Sequence, residues 1–256
     1  MSKPKITLIT ATYYRPDLLA RAIKSVQTST FKEYEHVIVS DHCPKAAQVY
    51  DLFKEDKRIR FFEQEPPHIV NHGARTHNYV IEHKAESDFF CFLGDDNIVL
   101  PNMLEVMYNA LAAGDCDGVF TKTYMLPIIK GDGGVKSIIS RKLEHDIEPH
   151  KYVLDDIEVG KWHRDIGNFA HNRKLFERTG PQPLSVNCPG GIEDCAYFNT
   201  VDSRGGRIKN LDAVTGIYYG RSAHAIRDED YHNKVIALKK DEIFVYPEIL
   251  KKAGVL

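Results

Sequence analysis

The stretch Phe89-Phe90-Cys91-Phe92-Leu93-Gly94-Asp95-Asp96-Asn97 runs an uninterrupted apolar segment into two adjacent carboxylates. An apolar run without alternating polar positions reads as a strand covered on both faces, the habit of parallel strands packed between helices. In open α/β sheets ligands collect beyond the carboxyl ends of such strands, so the two acids stand where a ligand would. Neighbouring anions repel unless a cation joins them. A hard divalent ion such as Mg2+ or Mn2+, itself holding phosphate oxygens, resolves that repulsion. The plainer alternative makes Asp95 or Asn97 a cap for the helix announced by Pro101 and the run Met103, Leu104, Val106, Met107, Ala110, Leu111. Capping needs one carboxylate, not two.

The surrounding pattern agrees with a layered α/β fold. Strands are expected at Ile6–Ile9, His36–Val39, Ile59–Phe62 and Gly118–Phe120. Helices are expected after Arg15-Pro16-Asp17, with Leu18, Leu19, Ala22, Ile23 and Val26 at helical spacing, then near Ala46–Phe53, over Thr76–Lys84, and from Pro101. Strand and helix alternating in this way imply a parallel sheet with right-handed crossovers. The second half is less regular. Tyr124–Ile129 and Val135–Ile139 around Gly131-Asp132-Gly133-Gly134 predict a hairpin, and the charged stretch 141–164 predicts a surface loop over the site. Beyond it come Ile166–Phe169, a short helix at Leu175-Phe176, a helix from Glu193 to about Ser203, a strand at Val214–Tyr219, and a C-terminal tail from Tyr231 expected to be helical.

Composition narrows the function classes. A chain of 256 residues that is 43% hydrophobic can bury a full core, and it is read as one globular unit. With 34 basic against 36 acidic side chains there is no overall field for gripping nucleic acid. Five cysteines (Cys43, Cys91, Cys116, Cys188, Cys195) form no C-x-x-C pair, which suits a reduced, cytoplasmic protein. The start Met-Ser-Lys-Pro-Lys leads straight into a strand, and no 18 consecutive residues are apolar, so neither secretion nor a membrane span is expected.

If the sheet is parallel, three strand ends share one crevice: Thr10-Ala11-Thr12-Tyr13-Tyr14, Ser40-Asp41-His42 and Asp95-Asp96-Asn97. Asp41 can accept a hydrogen bond from a base N–H, Asp95 from ribose hydroxyls, and Asp96 can hold a metal bridging two phosphates. Together they describe a nucleoside diphosphate pocket that lacks a glycine-rich loop. At this point the chain resembles the GT-A glycosyltransferases, specifically the inverting family 2. ITLITATYYRPDLL (6–19) is similar to the family's opening strand, Pro-Thr-Tyr-Asn turn and first helix, with Ala11 for the usual proline and Tyr14 for the asparagine. EHVIVSD (35–41) is similar to the second strand and its base-reading aspartate, and FLGDDNIVLPN (92–102) to the D-x-D region, with Gly94 in place of a first acid.

The resemblance implies a GT-A, Rossmann-like, mostly parallel sheet flanked by helices, with a nucleotide-sugar half (1–125), a smaller acceptor half (126–230) and a C-terminal helical extension (231–256). It implies Thr10 to Tyr13, Asp41, Asp95 and Arg75 on the nucleotide, with His77 or Asn78 as alternatives to Arg75. Asp96 would hold Mn2+ or Mg2+, with His224 returning to the ion or lying on the surface. Gly190-Gly191-Ile192-Glu193-Asp194 looks like the family's Glu-Asp pair, with Asp194 as general base and Glu193 orienting the acceptor or serving as base itself. Trp162 can stack on a sugar ring or pack in the core.

The implied donor is a nucleotide-diphospho-sugar, and the implied acceptor is a glycan or lipid-linked saccharide at the inner face of a membrane. The basic, partly apolar tail is a candidate contact for a membrane face or a second copy of the chain, with ordinary packing favoured. Two rivals stand beside this expectation. One is a sugar-phosphate nucleotidyltransferase, which needs glycines that Thr10 to Arg15 lacks. The other is a non-catalytic nucleotide-sugar or glycan binder.

Overall fold

A computed structural model of the chain describes residues 3–13, 15–41, 45–64, 73–125, 165–184 and 193–218. The elements are β1 (Ile6–Thr12), α1 (Pro16–Gln27), β2 (Tyr34–Ser40), α2 (Ala46–Asp51), β3 (Ile59–Glu63), α3 (Ala74–His83), β4 (Phe89–Phe92), β5 (Ile98–Val99), α4 (Met103–Ala112) and β6 (Gly118–Met125). They are followed by a 3-10 turn (Ile166–Asn168), β7 (Phe169–Asn172), α5 (Arg173–Thr179), α6 (Glu193–Ser203) and β8 (Ile208–Tyr218).

Among the described residues the strands form one sheet in the order β3-β2-β1-β4-β7-β6-β8-β5. The first four are parallel, with Ile9 opposite Val37 on one side and Phe92 on the other. β7 runs antiparallel between β4 and β6, β8 is parallel to β6, and β5 is antiparallel to β8. The sheet is thus mostly parallel in the half that forms the crevice and mixed beyond it.

Side chains alternate between the two faces, as strand geometry requires. Ile6, Leu8 and Cys91 pack with Val26 of α1 and with Leu104 and Met107 of α4. Ile9, Phe90 and Phe92 pack on the opposite face with Val80 of α3, Leu175 of α5 and Phe198 of α6. Ile38 and Ile59 join Leu19, Ile23 and Val49, tying α1 and α2 to the sheet edge. The apolar run at 89–93 is therefore buried on both faces, as its composition requires.

Two segments differ from the sequence reading. β6 continues through Tyr124 and Met125, which pair with Ile217 and Tyr218, where a separate hairpin was expected to begin. β8 starts six residues before the expected Val214, because bulged pairing with β6 carries exposed residues such as Lys209 and Asn210 into the ladder and breaks their alternation. The remainder of the expected hairpin, the 141–164 loop, Trp162 and the tail lie outside the described residues.

Three histidines are buried in this framework: His36 and His171 at 0% exposure and His77 at 6%. Burial holds His36 down at about 3 and both His77 and His171 at about 4. Each is neutral when folded, and each takes up a proton near its ordinary value of about 6.5 once unfolded. Their stabilising contribution is complete above that value and is lost as the pH falls toward the folded values. Asp95 and Asp165, whose carboxyls burial pushes up, protonate more readily in the folded state and offset part of the loss. Unfolding free energy measured by denaturant titration is expected to fall between about pH 6.5 and pH 4, with each uncompensated histidine adding up to about 1.4 kcal/mol per pH unit. A flat profile across that window would contradict the buried neutral state of these rings.

Candidate active site

The carboxyl ends of β1, β2 and β4 open on a cavity of about 340 Å3. Ala11, Thr12 and Tyr13 line it from β1 and its turn, Asp41 from the end of β2, and Phe92 to Asp95 from β4. Gly73, Thr76 and His77 contribute the start of α3, and Ile166 closes the side nearest the second half. The backbone N–H of Asp41 donates to the Thr12 carbonyl at 2.9 Å, which holds the first two edges together.

The acid turn follows β4 directly. Leu93 N–H donates to the Ile9 carbonyl, prolonging the β1–β4 ladder, and Asn97 N–H donates to the Gly94 carbonyl to close the turn. A Cβ on Gly94 would lie 2.7 Å from Asp96 Oδ1 and 3.0 Å from Asn97 Nδ2, so the turn packs these side chains over a position that only glycine leaves open. The Asp96 carbonyl accepts from Nη2 of the buried Arg21 at 2.7 Å, which fixes the turn from beneath.

Asp95 is fully buried, and Thr12 Oγ1 donates to its Oδ2 at 2.8 Å. Arg15, the residue just before α1, spans both acids. Its Nη2 lies 2.5 Å from Asp95 Oδ1, its Nε donates to Asp95 Oδ2 at 3.2 Å, and its Nη1 donates to Asp96 Oδ2 at 2.8 Å. Burial pushes the Asp95 carboxyl well above the usual carboxylate range and the Asp96 charge adds to this, while Arg15, Thr12 and the Tyr13 N–H oppose it. Asp95 Oδ1, although within ion-pair reach of Arg15, receives no well-aligned hydrogen bond. Buried acids elsewhere differ. Glu35 is bound by Arg60, Thr7 and the Glu86 N–H, and Asp117 by Arg178 and Arg207, so these are tied into the framework.

The second half reaches the cavity through the 3-10 turn. Asp165 caps it by accepting from Gly167 N–H at 2.6 Å, and its carboxyl is raised by burial and then by the nearby Asp96 charge. Ile166 lines the cavity and donates its N–H to Asp194 Oδ2 at 3.1 Å. Asp194, in the first turn of α6, is therefore bonded to a residue of the cavity wall.

Of the residues singled out from sequence, Ala11, Thr12, Tyr13, Asp41 and Asp95 share the cavity, and Asp96 meets it through Arg15. Thr10 turns into the sheet and pairs with His36 Nε2 at 2.9 Å. Arg75 is half-buried in the first turn of α3 and is not among the lining residues, whereas His77 is, with its Nδ1 3.0 Å from Gln182 Oε1. Asn78 exchanges two hydrogen bonds with the Gln182 backbone and serves the framework. His224, the Glu193 side chain and Gly190 to Ile192 lie outside the described residues. Sequence reasoning missed Arg15 and Ile166. The available signal for Arg15 was an arginine where a helix start favours Ser, Thr, Asp or Asn.

Comparison with known proteins agrees with this architecture. Residues 7–200 match the model of Glycosyl transferase family 2. The chain is 29% identical over 156 residues to the GalNAc(5)-diNAcBac-PP-undecaprenol beta-1,3-glucosyltransferase of Campylobacter jejuni, a match covering 58% of this chain and 46% of that protein. It thus spans under half the length of that relative. It is 27% identical over 234 residues to the succinoglycan biosynthesis protein ExoW of Rhizobium meliloti, covering 83% of this chain and 68% of that one. S. aureus TarS 1-349 in complex with UDP-GlcNAc superposes with a TM-score of 0.63 at 16% identity, over 93% of this chain and 69% of the 1-349 chain. The mannosyltransferase PcManGT from Pyrobaculum calidifontis, solved with GDP-Man and Mn2+, gives 0.61 at 16% identity over 88% and 59% of the two chains. These likenesses identify the fold as GT-A, and with a family match over most of its length the chain belongs to glycosyl transferase family 2.

Proposed function

We propose that the protein is a metal-dependent inverting glycosyltransferase, moving a sugar from a nucleotide-diphospho-sugar, with UDP as the favoured carrier, to a hydroxyl of a glycan or lipid-linked saccharide. The observation that carries this reading is the meeting of two separate acid sets at one cavity. Asp95 lines it, Asp96 meets it through Arg15, and Asp194 is joined to its wall through Ile166. A binding module needs the first set alone.

The residues divide the work by their chemistry. Asp41, at the rim of β2, accepts from the base, and Asp95 accepts from the ribose. The first turn of α3, which carries Arg75 and presents Thr76 and His77, faces the diphosphate at a helix N-terminus. Asp95 and Asp96 form a hard oxygen set, with Asp95 Oδ1 ion-paired to Arg15 but without a well-aligned hydrogen bond. Mg2+ or Mn2+ fits there, held by Asp96 with His224 proposed as a further ligand, and would stabilise charge on the departing diphosphate. Asp194 takes the proton from the acceptor hydroxyl as that oxygen bonds to the anomeric carbon. The bond from that carbon to the phosphate oxygen breaks on the opposite face, so the configuration inverts.

UDP is favoured because TarS was solved with UDP-GlcNAc, and the metal because PcManGT was solved with Mn2+. The lipid-linked acceptor, and with it a cytoplasmic site at the inner face of a membrane, rests on the name of the Campylobacter relative. Among the described residues no helix is long and apolar enough to cross a membrane. The test is a screen of sugar nucleotides with and without Mn2+. Nucleotide diphosphate released only when acceptor is present supports transfer, whereas tight binding with no acceptor-dependent release supports a binder.

Gly94→Ala separates site from fold. The new methyl meets the ends of two side chains, not backbone, so those side chains move and the framework stays. Thermal unfolding should remain close to that of the parent protein, while displacement of Asp96 weakens Mn2+-dependent nucleotide binding by roughly tenfold or more. Unchanged binding by calorimetry would contradict the placement of Asp96.

A further inference from the structure

Arg15 has no part in the donor-binding scheme above, yet it contacts both acids. Its guanidinium is planar, permanently charged and unable to share a carboxylate lone pair with a metal ion. It touches three of the four carboxylate oxygens of Asp95 and Asp96. The Asp95 side chain is 0% exposed and that of Arg15 25%, so the guanidinium is the solvent-facing partner of the pair. A cation that takes the oxygens Arg15 now holds competes with it directly.

The two arginines of this region differ in what they hold. Arg21 is buried and binds the Asp96 main-chain carbonyl, a contact that leaves the carboxylates untouched. Arg15 binds the carboxylates themselves from a half-buried side chain, while its own carbonyl is anchored by Leu19 N–H at 2.9 Å. A rotamer change is therefore enough to move its charge. The cavity that Arg15 lines is also lined by Thr76 and His77 at the start of α3, where the diphosphate is proposed to lie, so a second anionic partner is within the same space.

Resting on the donor-site reading given above, we propose that Arg15 is the resident cation of the Asp95–Asp96 site in the donor-free protein and transfers to the diphosphate when metal and nucleotide enter together. Divalent metal then binds weakly alone and tightly with nucleotide, because the nucleotide supplies the partner that draws Arg15 away. Arg15 is in this account both a guard of the metal site and a ligand of the leaving group.

The test is Mn2+ binding followed by electron paramagnetic resonance of the free ion, using the full chain, with and without UDP. In the parent protein UDP should tighten Mn2+ binding by on the order of tenfold or more. Arg15→Met should bind Mn2+ alone on the order of tenfold more tightly than the parent and lose most of the UDP effect. Arg15→Lys, which retains a counter-charge for the buried Asp95 and so protects folding, should fall between the two. If the parent takes up Mn2+ with UDP but neither variant binds Mn2+ alone more tightly, Arg15 is not the competitor and this inference fails by itself. If the parent takes up no Mn2+ even with UDP, the donor-site reading fails and this inference with it.

Discussion

Asp96→Ala is expected to lower sugar transfer by on the order of a hundredfold or more, with the protein still folded. The expectation follows from how the turn is built. Asp96 is held in place through its main chain by Arg21, and its carboxylate, 21% exposed, bonds to Arg15 at the cavity and not into the apolar core. Its removal leaves Asp95 paired to Arg15 through two contacts and to Thr12 through another, which keeps the buried charge compensated. Under the proposed function, what is lost is the oxygen donor meant to offset negative charge on the leaving diphosphate, and such stabilisation is commonly the largest electrostatic term in a transfer reaction. Initial rates with a verified acceptor, alongside thermal unfolding, check this. Near-normal turnover would refute the role of Asp96.

Asp194→Asn is expected to produce a loss of similar size by a different route. The amide keeps the shape of the side chain, and its carbonyl oxygen can still accept from Ile166 N–H, the contact that ties α6 to the cavity wall. It cannot take a proton from the acceptor. The drop, on the order of a hundredfold or more, should therefore fall on kcat and leave donor KM nearly unchanged. A variant with full kcat would move the general base elsewhere, with Glu193 the first candidate. A variant that loses donor binding together with kcat would instead make Asp194 a support for the 3-10 turn.

Much of the cavity at the strand ends was legible from sequence because each signal there is local. The run 89–93 stops on Asp95 and Asp96, and Asp41 follows a strand whose every residue is buried. Parallel pairing then brings those strand ends to one edge without further information. The second half was less legible. β7 is only four residues long and inserts between β4 and β6, a position dictated by pairing partners distant in sequence. The exposed residues of β8 look like loop until its bulged pairing with β6 is known. Arg15 read as the start of a helix because its partners lie 80 residues and more away, and no periodicity reports such a contact. Arg75 and His77 illustrate the same limit of local reading. They sit two positions apart on one helix, and only the direction in which α3 packs decides that His77 faces the cavity.

The most direct test of the donor site is a crystal structure of the protein with UDP and Mn2+. The nucleotide is expected in the cavity at the ends of β1, β2 and β4, with Asp41 at the base, Asp95 at the ribose and Asp96 beside the Mn2+ ion. A nucleotide bound elsewhere, or bound in the cavity with Asp95 and Asp96 both turned away from it, would contradict the proposed chemistry.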